Sequence, residues 1–150
     1  MLELYDEQDK IKMSSAEESR IPTGSRIEEL VKFAKHQNIK KIGIANCAMF
    51  AKEAEKLKSI LESEFEVFAV GCKTGGITAK EMTGKDINGI SCNPAGQAKY
   101  LEDNNTELNI SMGLCIGHDI VFNSKSKVMT TNLIVKDRKH KHDVMKNFVD

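Results

Sequence analysis

The stretch ELNISMGLCIGHD, residues 107–119, decides the fold class of this chain. Its apolar residues alternate with small or polar ones and are Leu108, Ile110, Met112 and Leu114. The stretch then passes through Cys115 and Gly117 into a histidine–aspartate pair. An apolar run that ends in a small-residue turn before a helix is typical of a buried strand in a parallel sheet. We therefore expect chemically active residues directly after this strand.

Cysteines occupy the same place in other parts of the chain. Lys41–Asn46 is an apolar run that leads into Cys47, and Phe65–Gly71 leads into Cys72. The fourth cysteine, Cys92, comes just before a predicted helix start at Asn93. The sequence therefore predicts all four cysteines at the functional edge of an α/β fold.

Helical patterns separate these strands. Ser25 and Glu28 form a capping-box signature for a helix over 25–37, and 49–63 has an apolar stripe at helical spacing. Asn93 and Pro94 start a helix that ends near residue 103, and a short helical stretch is predicted over 119–123. The fourth strand is predicted over 128–135, whereas 73–91 is read as a long connection and 136–150 as a polar tail.

Strands that alternate with helices predict an α/β fold with three layers and a mostly parallel sheet of about four strands. The flavodoxin-like or Rossmann-like order 2-1-3-4 would make Cys72, Cys47 and Cys115 neighbours. We expect one α/β domain over residues 25–150. Residues 1–24 are expected to form an arm or a loosely docked amphipathic helix, because their apolar residues are scattered.

Composition excludes several classes of function. The chain has 150 residues, with 22 Lys plus Arg and 22 Asp plus Glu, so its balanced charge gives no general attraction to nucleic acid. Its apolar runs are too short to span a bilayer, and its N-terminus does not resemble a signal peptide. We expect a cytoplasmic protein, in which four cysteines are thiols, ligands or redox groups rather than structural disulfides.

The first hypothesis for the cysteines is a soft-metal site. Four thiolates suit tetrahedral zinc or an iron–sulfur cluster, and the candidate ligands are Cys47, Cys72, Cys92 and Cys115. The chain contains no C-x-x-C pair, so each ligand would come from its own loop. The competing interpretation is that these cysteines are small, partly buried apolar residues.

Two other functions remain open, and with them the question of whether the protein is an enzyme. A thiol-dependent enzyme, redox or group-transfer, would use Cys115 or Cys92 as nucleophile, since each precedes a helix N-terminus, with His118 as base or orienting group. A binding module without chemistry would instead hold a small anionic ligand. The candidate residues for binding an anion or cofactor are Gly75, Gly76, Asn93 and Arg138. Each of these features also has a simpler explanation. Gly75 and Gly76 would form a plain turn, and Gly117 would form a turn with Asp119 as helix cap. The segment of Arg138 would be a solvated basic tail.

Five segments together resemble a family of uncharacterised microbial proteins whose members are usually labelled metal-binding. They are RIEELVKFAKHQNIKKIGIANC, VFAVGCKTGG, SCNPAGQA, ELNISMGLCIGHD and TTNLIVKDR followed by a histidine, and they cover about residues 26–142. The resemblance implies that the four cysteines, and also His118, Asp119, Asp137, Arg138 and His142, occupy the family's recurrent positions. Such proteins typically begin with a further cysteine-rich segment, and residues 1–20 contain no cysteine. The resemblance therefore implies the fold and the place of a site rather than a reaction.

Overall fold

The computed structural model of the protein describes residues 1–149. The chain divides into two compact units, of which the first is Met1–Ile39 and the second begins at Lys40. The first unit contains a short 3-10 helix, Leu2–Leu4, and two α-helices, α1 (Glu7–Ser19) and α2 (Arg26–His36).

Both helices of the first unit begin with capping boxes. Asp6 and Asp9 cap α1, and the predicted pair Ser25 and Glu28 caps α2. The predicted helix near the N-terminus is present, but it is not amphipathic, because its buried residues are serines and Ile11 and Met13 are exposed. The amide of Gln37 donates a hydrogen bond of 2.6 Å to Ser15 Oγ. The domain boundary expected at residues 24 and 25 stays a prediction.

The second unit is an α/β fold with a four-stranded parallel sheet. Its elements are β1 (Lys41–Asn46), α3 (Ala51–Leu61), β2 (Glu66–Gly71), α4 (Ala79–Thr83), α5 (Pro94–Asp103), β3 (Leu108–Met112), α6 (Ile116–Lys125) and β4 (Met129–Ile134). The strand order is β2-β1-β3-β4, and every pair is parallel. This is the flavodoxin-like order, which the sequence pattern left open.

Helices cover both faces of this sheet. On one face, Ala98 and Leu101 of α5 and Phe122 of α6 pack with Ala45 and Val70 of the strands. On the other face, α3 packs on β1 and β2 through its buried stripe of Ala54, Leu57 and Leu61. Burying a leucine of this kind contributes about 1.5–3 kcal/mol. The three layers hold the carboxyl ends of the strands in fixed register.

One predicted connection contains a helix of its own. The segment 73–91 includes α4, which begins with a capping box between Thr78 and Glu81. The sequence pattern missed α4 because five residues are too few to show an apolar period.

The turn after β3 also differs from the prediction. Helix α6 begins at Ile116 rather than Asp119, so Gly117 lies inside the helix. The left-handed residue of the turn is Gly113, with φ of 62°, and a Cβ there would lie 2.0 Å from the Phe50 ring. No helix within residues 1–149 is long and apolar enough to cross a membrane.

Asp119 does not cap this helix. Its carboxylate accepts hydrogen bonds of 2.7 Å from Ser111 Oγ on β3 and 2.7 Å from Asn132 Nδ2 on β4. Asp119 therefore ties the first turns of α6 to two strands, which a reading based on local sequence alone does not reveal.

Candidate functional site

The four cysteines are placed by the ends of the strands. Cys47 follows β1, and its N–H donates to the carbonyl of Met112 at the end of β3 (3.0 Å). Cys72 follows β2, and Cys115 is the N-cap residue of α6. The Asn93 N–H donates to the Cys72 carbonyl (2.8 Å) and thereby brings the segment of Cys92 to the end of β2. Each cysteine thus lies in a segment at the carboxyl edge of the sheet.

Lys136 lies between two of these sulfurs. Its Nζ is 2.9 Å from Cys47 Sγ and 3.5 Å from Cys115 Sγ. Arg138 adds a second cation, with Nη2 at 3.3 Å from Cys115 Sγ. Lys136 was not among the residues predicted from the sequence. Its place just after the fourth strand was an available signal, because the carboxyl ends of parallel strands meet at one edge. The Lys136 ammonium favours the thiolate form of Cys47.

Cys72 lies near two of the other thiols. Its side chain is buried and accepts a hydrogen bond from the Ala48 N–H (3.4 Å), and both Cys92 and Cys47 act on its pKa. Cys47, Cys92 and Cys115 are partly exposed. Cys72 thus lies against the segment that carries Cys47, and Lys136 joins Cys47 to Cys115.

The surroundings separate the pKa values of these thiols. Burial by itself raises the pKa of Cys47, but the hydrogen bond from Lys136, together with the Met49 N–H, the lysine charge and Cys72, lowers it overall. Burial raises the pKa of Cys72; Ala48 N–H opposes this, and Cys92 and Cys47 raise it further. Burial acts to lower the pKa of Lys136, but the two sulfurs that it contacts raise it overall. The contact with Lys136 therefore favours the thiolate form of Cys47 over the thiol.

His118 lies in the first turn of α6, two residues after the start of the helix. Burial lowers its pKa, and the positive charges of Lys136 and Lys73 lower it further. An imidazole in this environment is neutral near pH 7, and a neutral imidazole can accept a proton. This agrees with the role of base expected for His118, which stays a prediction.

The segment after β4 is ordered rather than a solvated tail. Asp137 accepts hydrogen bonds from the backbone N–H of His140 (3.1 Å) and from Asn147 Nδ2 (2.6 Å), and its Oδ2 is 3.1 Å from His140 Nδ1. The ring of His142 packs edge-on against Phe50, with 4.8 Å between ring centroids, and its Nδ1 accepts from the Asp137 N–H. These contacts hold the backbone next to Lys136.

The other candidate anion-binding residues have structural contacts. Gly75 and Gly76 have left-handed φ angles of 80° and 62° in the turn after Cys72. Asn93 Oδ1 accepts from the Gly96 N–H (2.8 Å), as predicted for a helix cap, and Nδ2 donates to the Thr74 carbonyl (3.2 Å). Binding of an anion by these residues stays a prediction.

The metal hypothesis can be compared with this geometry. Four sulfurs are a donor set that suits zinc or an iron–sulfur cluster. However, within residues 1–149 no group of three or more histidine, cysteine, aspartate or glutamate side chains has an arrangement that could hold a metal ion. The Lys136 ammonium contacts Cys47 and Cys115. The donor chemistry therefore fits a soft metal, but the arrangement of the side chains does not.

Comparisons with known proteins give a family without an assigned reaction. The chain is 41% identical over 151 residues to Uncharacterized protein MJ0455 of Methanocaldococcus jannaschii, and the match covers 95% of this chain and 78% of that protein. No solved structure matches the chain. A family model described as "Protein of unknown function (DUF1847)" matches residues 1–133, so the match begins before the segment 26–142 indicated by the sequence motifs. The chain belongs to this DUF1847 family of proteins of unknown function.

Proposed function

We propose that the carboxyl edge of the sheet is a thiol-dependent site for redox or group-transfer chemistry, with Cys47 as the reacting thiolate. The observation that carries this proposal is the 2.9 Å contact between Lys136 Nζ and Cys47 Sγ. A nearby ammonium favours the thiolate, and the thiolate is the nucleophilic form of cysteine. The partial exposure of Cys47 gives a reagent access to the sulfur.

The neighbouring side chains have complementary roles in this proposal. Arg138 and Lys136 supply positive charge that would attract an anionic group on the substrate. His118, as a neutral imidazole near Lys136, would accept or return the proton that accompanies thiol chemistry. Cys115 or Cys92 as nucleophile remains the alternative form of the same proposal.

Site-resolved alkylation tests which thiol reacts. Trypsin places each cysteine in its own peptide, Ile42–Lys52, Ser59–Lys73, Asp86–Lys99 and Tyr100–Lys125, so all four rates are measured in one sample. The fully reduced protein would be treated with limiting iodoacetamide at pH 7 and quantified by mass spectrometry. We expect the peptide of Cys47 to be modified first. Uniformly slow modification of all four peptides would refute the proposal, and fastest modification of Cys115 or Cys92 would transfer it to that residue.

A soft-metal site is the second candidate. The observation that favours it is the position of all four cysteines in segments at the carboxyl edge of the sheet, since four thiolates are a donor set that suits these metals. Binding of zinc or an iron–sulfur cluster would require Lys136 to leave the sulfurs. Elemental analysis of protein purified anaerobically without chelator, together with a free-thiol count, tests this candidate. About one zinc per chain, or iron with acid-labile sulfide, and masked thiols would support it, whereas metal-free protein with four free thiols would contradict it.

A further inference from the structure

We propose that Cys47 and Cys72 form a reversible intramolecular disulfide, in which Cys72 resolves a mixed disulfide formed on Cys47 by a small-molecule disulfide. This inference rests on the proposed function, because it assigns a partner and a substrate class to the thiolate of Cys47. It also gives a chemical role to the buried Cys72. The position before a helix concerns Cys92 and Cys115, and the contacts with Lys136 and Arg138 concern Cys47 and Cys115.

The register of the strands places the two cysteines side by side. Asn46 and Gly71 are partners in the parallel pairing of β1 with β2, so Cys47 and Cys72 are the next pair beyond them. Neighbouring strands lie about 4.8 Å apart. Disulfides join Cα atoms that are about 4.4–6.8 Å apart, so the spacing of the strands suits a bridge.

The Cys72 side chain reaches across this spacing to the segment of Cys47. The N–H of Ala48, the residue after Cys47, donates to Cys72 Sγ at 3.4 Å. The Cys72 sulfur is therefore held against the segment that carries Cys47, so little backbone movement is needed to join the sulfurs.

Gln97 fixes the ends of the two strands. Its side chain is fully buried, and Nε2 donates to the carbonyls of Asn46 (3.1 Å) and Val70 (2.9 Å). Asn46 is the last residue of β1, and Val70 is the second-last residue of β2. The amide thus holds both strand ends from one point on α5 and limits their separation.

The difference in exposure gives the two thiols different roles. Cys47 is partly exposed, whereas Cys72 is 3% exposed. An external disulfide can therefore reach Cys47 first, and Cys72 can reach only a sulfur that is already bonded to Cys47. This order is the one that an attacking and a resolving cysteine require.

The chemistry balances without any further reagent. The Cys47 thiolate attacks one sulfur of a small disulfide RSSR, which forms a Cys47–SR bond and releases the thiolate RS⁻. The Cys72 thiol then loses its proton to that released thiolate and attacks the Cys47 sulfur. This attack forms the Cys47–Cys72 bond and releases the second R group as RS⁻. The second RS⁻ takes up a proton from solvent. Overall, the small disulfide is reduced to two RSH molecules, and the two protein thiols are oxidised to one disulfide. In reverse, the oxidised protein would accept two electrons from small thiols.

Glutathione disulfide is a suitable probe, because it is a small anionic disulfide. The reduced protein would be incubated with it anaerobically at low protein concentration, quenched with acid and alkylated, and digested with trypsin without reduction. We expect loss of two free thiols per chain and a cross-linked product of the peptides Ile42–Lys52 and Ser59–Lys73. Dithiothreitol should restore both free peptides.

Two variants separate resolution from the first attack. In Cys72→Ser we expect glutathione to remain on Cys47 as a trapped mixed disulfide, at a level at least several-fold above wild type. Cys92→Ser removes the other thiol that acts on the pKa of Cys72 and so tests which cysteine resolves. We expect it still to give the Cys47–Cys72 cross-link, whereas glutathione trapped on Cys47 in this variant would assign resolution to Cys92.

The outcomes distinguish this inference from the proposed function. A wild-type protein that keeps glutathione on Cys47 without a cross-link would overturn the resolving role of Cys72, while the reactivity of Cys47 would stand. A cross-link between the peptides of Cys72 and Cys92 would overturn the assigned pair. No reaction at Cys47 would overturn both proposals. The peptide map of the wild-type protein decides among these results even if Cys72→Ser does not fold.

Discussion

Lys136 and Cys47 are 89 positions apart in the chain, yet the lysine ammonium lies 2.9 Å from the cysteine sulfur. The same ammonium is 3.5 Å from Cys115 Sγ. One side chain that follows the edge strand β4 thus contacts sulfurs that follow the two central strands β1 and β3. This contact links the parallel sheet to the chemistry of the site.

Removal of the Lys136 charge should slow the reaction of Cys47. Because Lys136 contributes to lowering the pKa of Cys47, Lys136→Met should raise that pKa and reduce the thiolate fraction at pH 7. We expect a loss of about threefold to tenfold in alkylation rate at pH 7, as the contact is partly exposed. The rates of variant and wild type should converge at a pH above both pKa values.

The matched control for this change is Lys139→Met, since Lys139 is exposed and belongs to the same segment. It should react like wild type. Equal rates in Lys136→Met and wild type across the whole pH range would show that Lys136 does not activate Cys47.

Replacement of Gln97 should weaken the sheet edge. Gln97→Leu places an apolar side chain in a fully buried position and removes the hydrogen bonds to the carbonyls of Asn46 and Val70. The loss of a buried partner costs about 1–3 kcal/mol of unfolding free energy, which urea titration measures. Lys99→Leu, at an exposed position of the same helix, provides the comparison. A Gln97→Leu protein as stable as the comparison variant would contradict this role.

Asp137 should order the segment that carries Lys136. Hydrogen bonds from Asn147 and His140 lower the pKa of Asp137 from its ordinary value of 3.8 to about 2. Because the pKa is depressed, the carboxylate stabilises the fold fully at pH values above its ordinary pKa of 3.8. This stabilisation is lost as the pH falls through about 2. Asp137→Asn should loosen the segment already at pH 7, which limited trypsin digestion at Lys139 and Lys141 detects. Unchanged digestion would count against this role.

Two glycines near the site should respond oppositely to alanine. Gly113→Ala places a Cβ 2.0 Å from the Phe50 ring at a left-handed φ of 62°, so we expect a loss of about 2–4 kcal/mol in unfolding free energy. Gly117 lies within α6, where an added Cβ would meet no atom within 4 Å. Gly117→Ala should therefore leave the unfolding free energy unchanged or raise it by up to about 1 kcal/mol. Thermal unfolding of both variants measures the difference. Similar melting temperatures would show that the turn tolerates a side chain.

Local patterns predicted the elements of the fold well where they are long. Helical spacing correctly predicted the buried stripe of Ala54, Leu57 and Leu61. The Asn93–Pro94 pair correctly predicted the start of the next long helix. The prediction was wrong where contacts distant in sequence decide the structure. Asp119 was read as a cap, but it binds Ser111 and Asn132 on two strands. The short helix α4 was missed because its capping box lies within a glycine- and threonine-rich connection.

The sequence by itself determined the class of fold and the position of the cysteines after strands or before a helix, whereas the strand order came from the tertiary structure. Apolar periodicity and capping residues act over a few neighbouring positions, so they can be read without coordinates. Only the tertiary structure decided that Lys136 contacts Cys47 and Cys115, that Cys72 is buried against the segment of Cys47, and that Asp137 accepts hydrogen bonds within the segment after β4. These relationships depend on parallel strands that bring distant residues to one edge, and no local pattern encodes the distance between them.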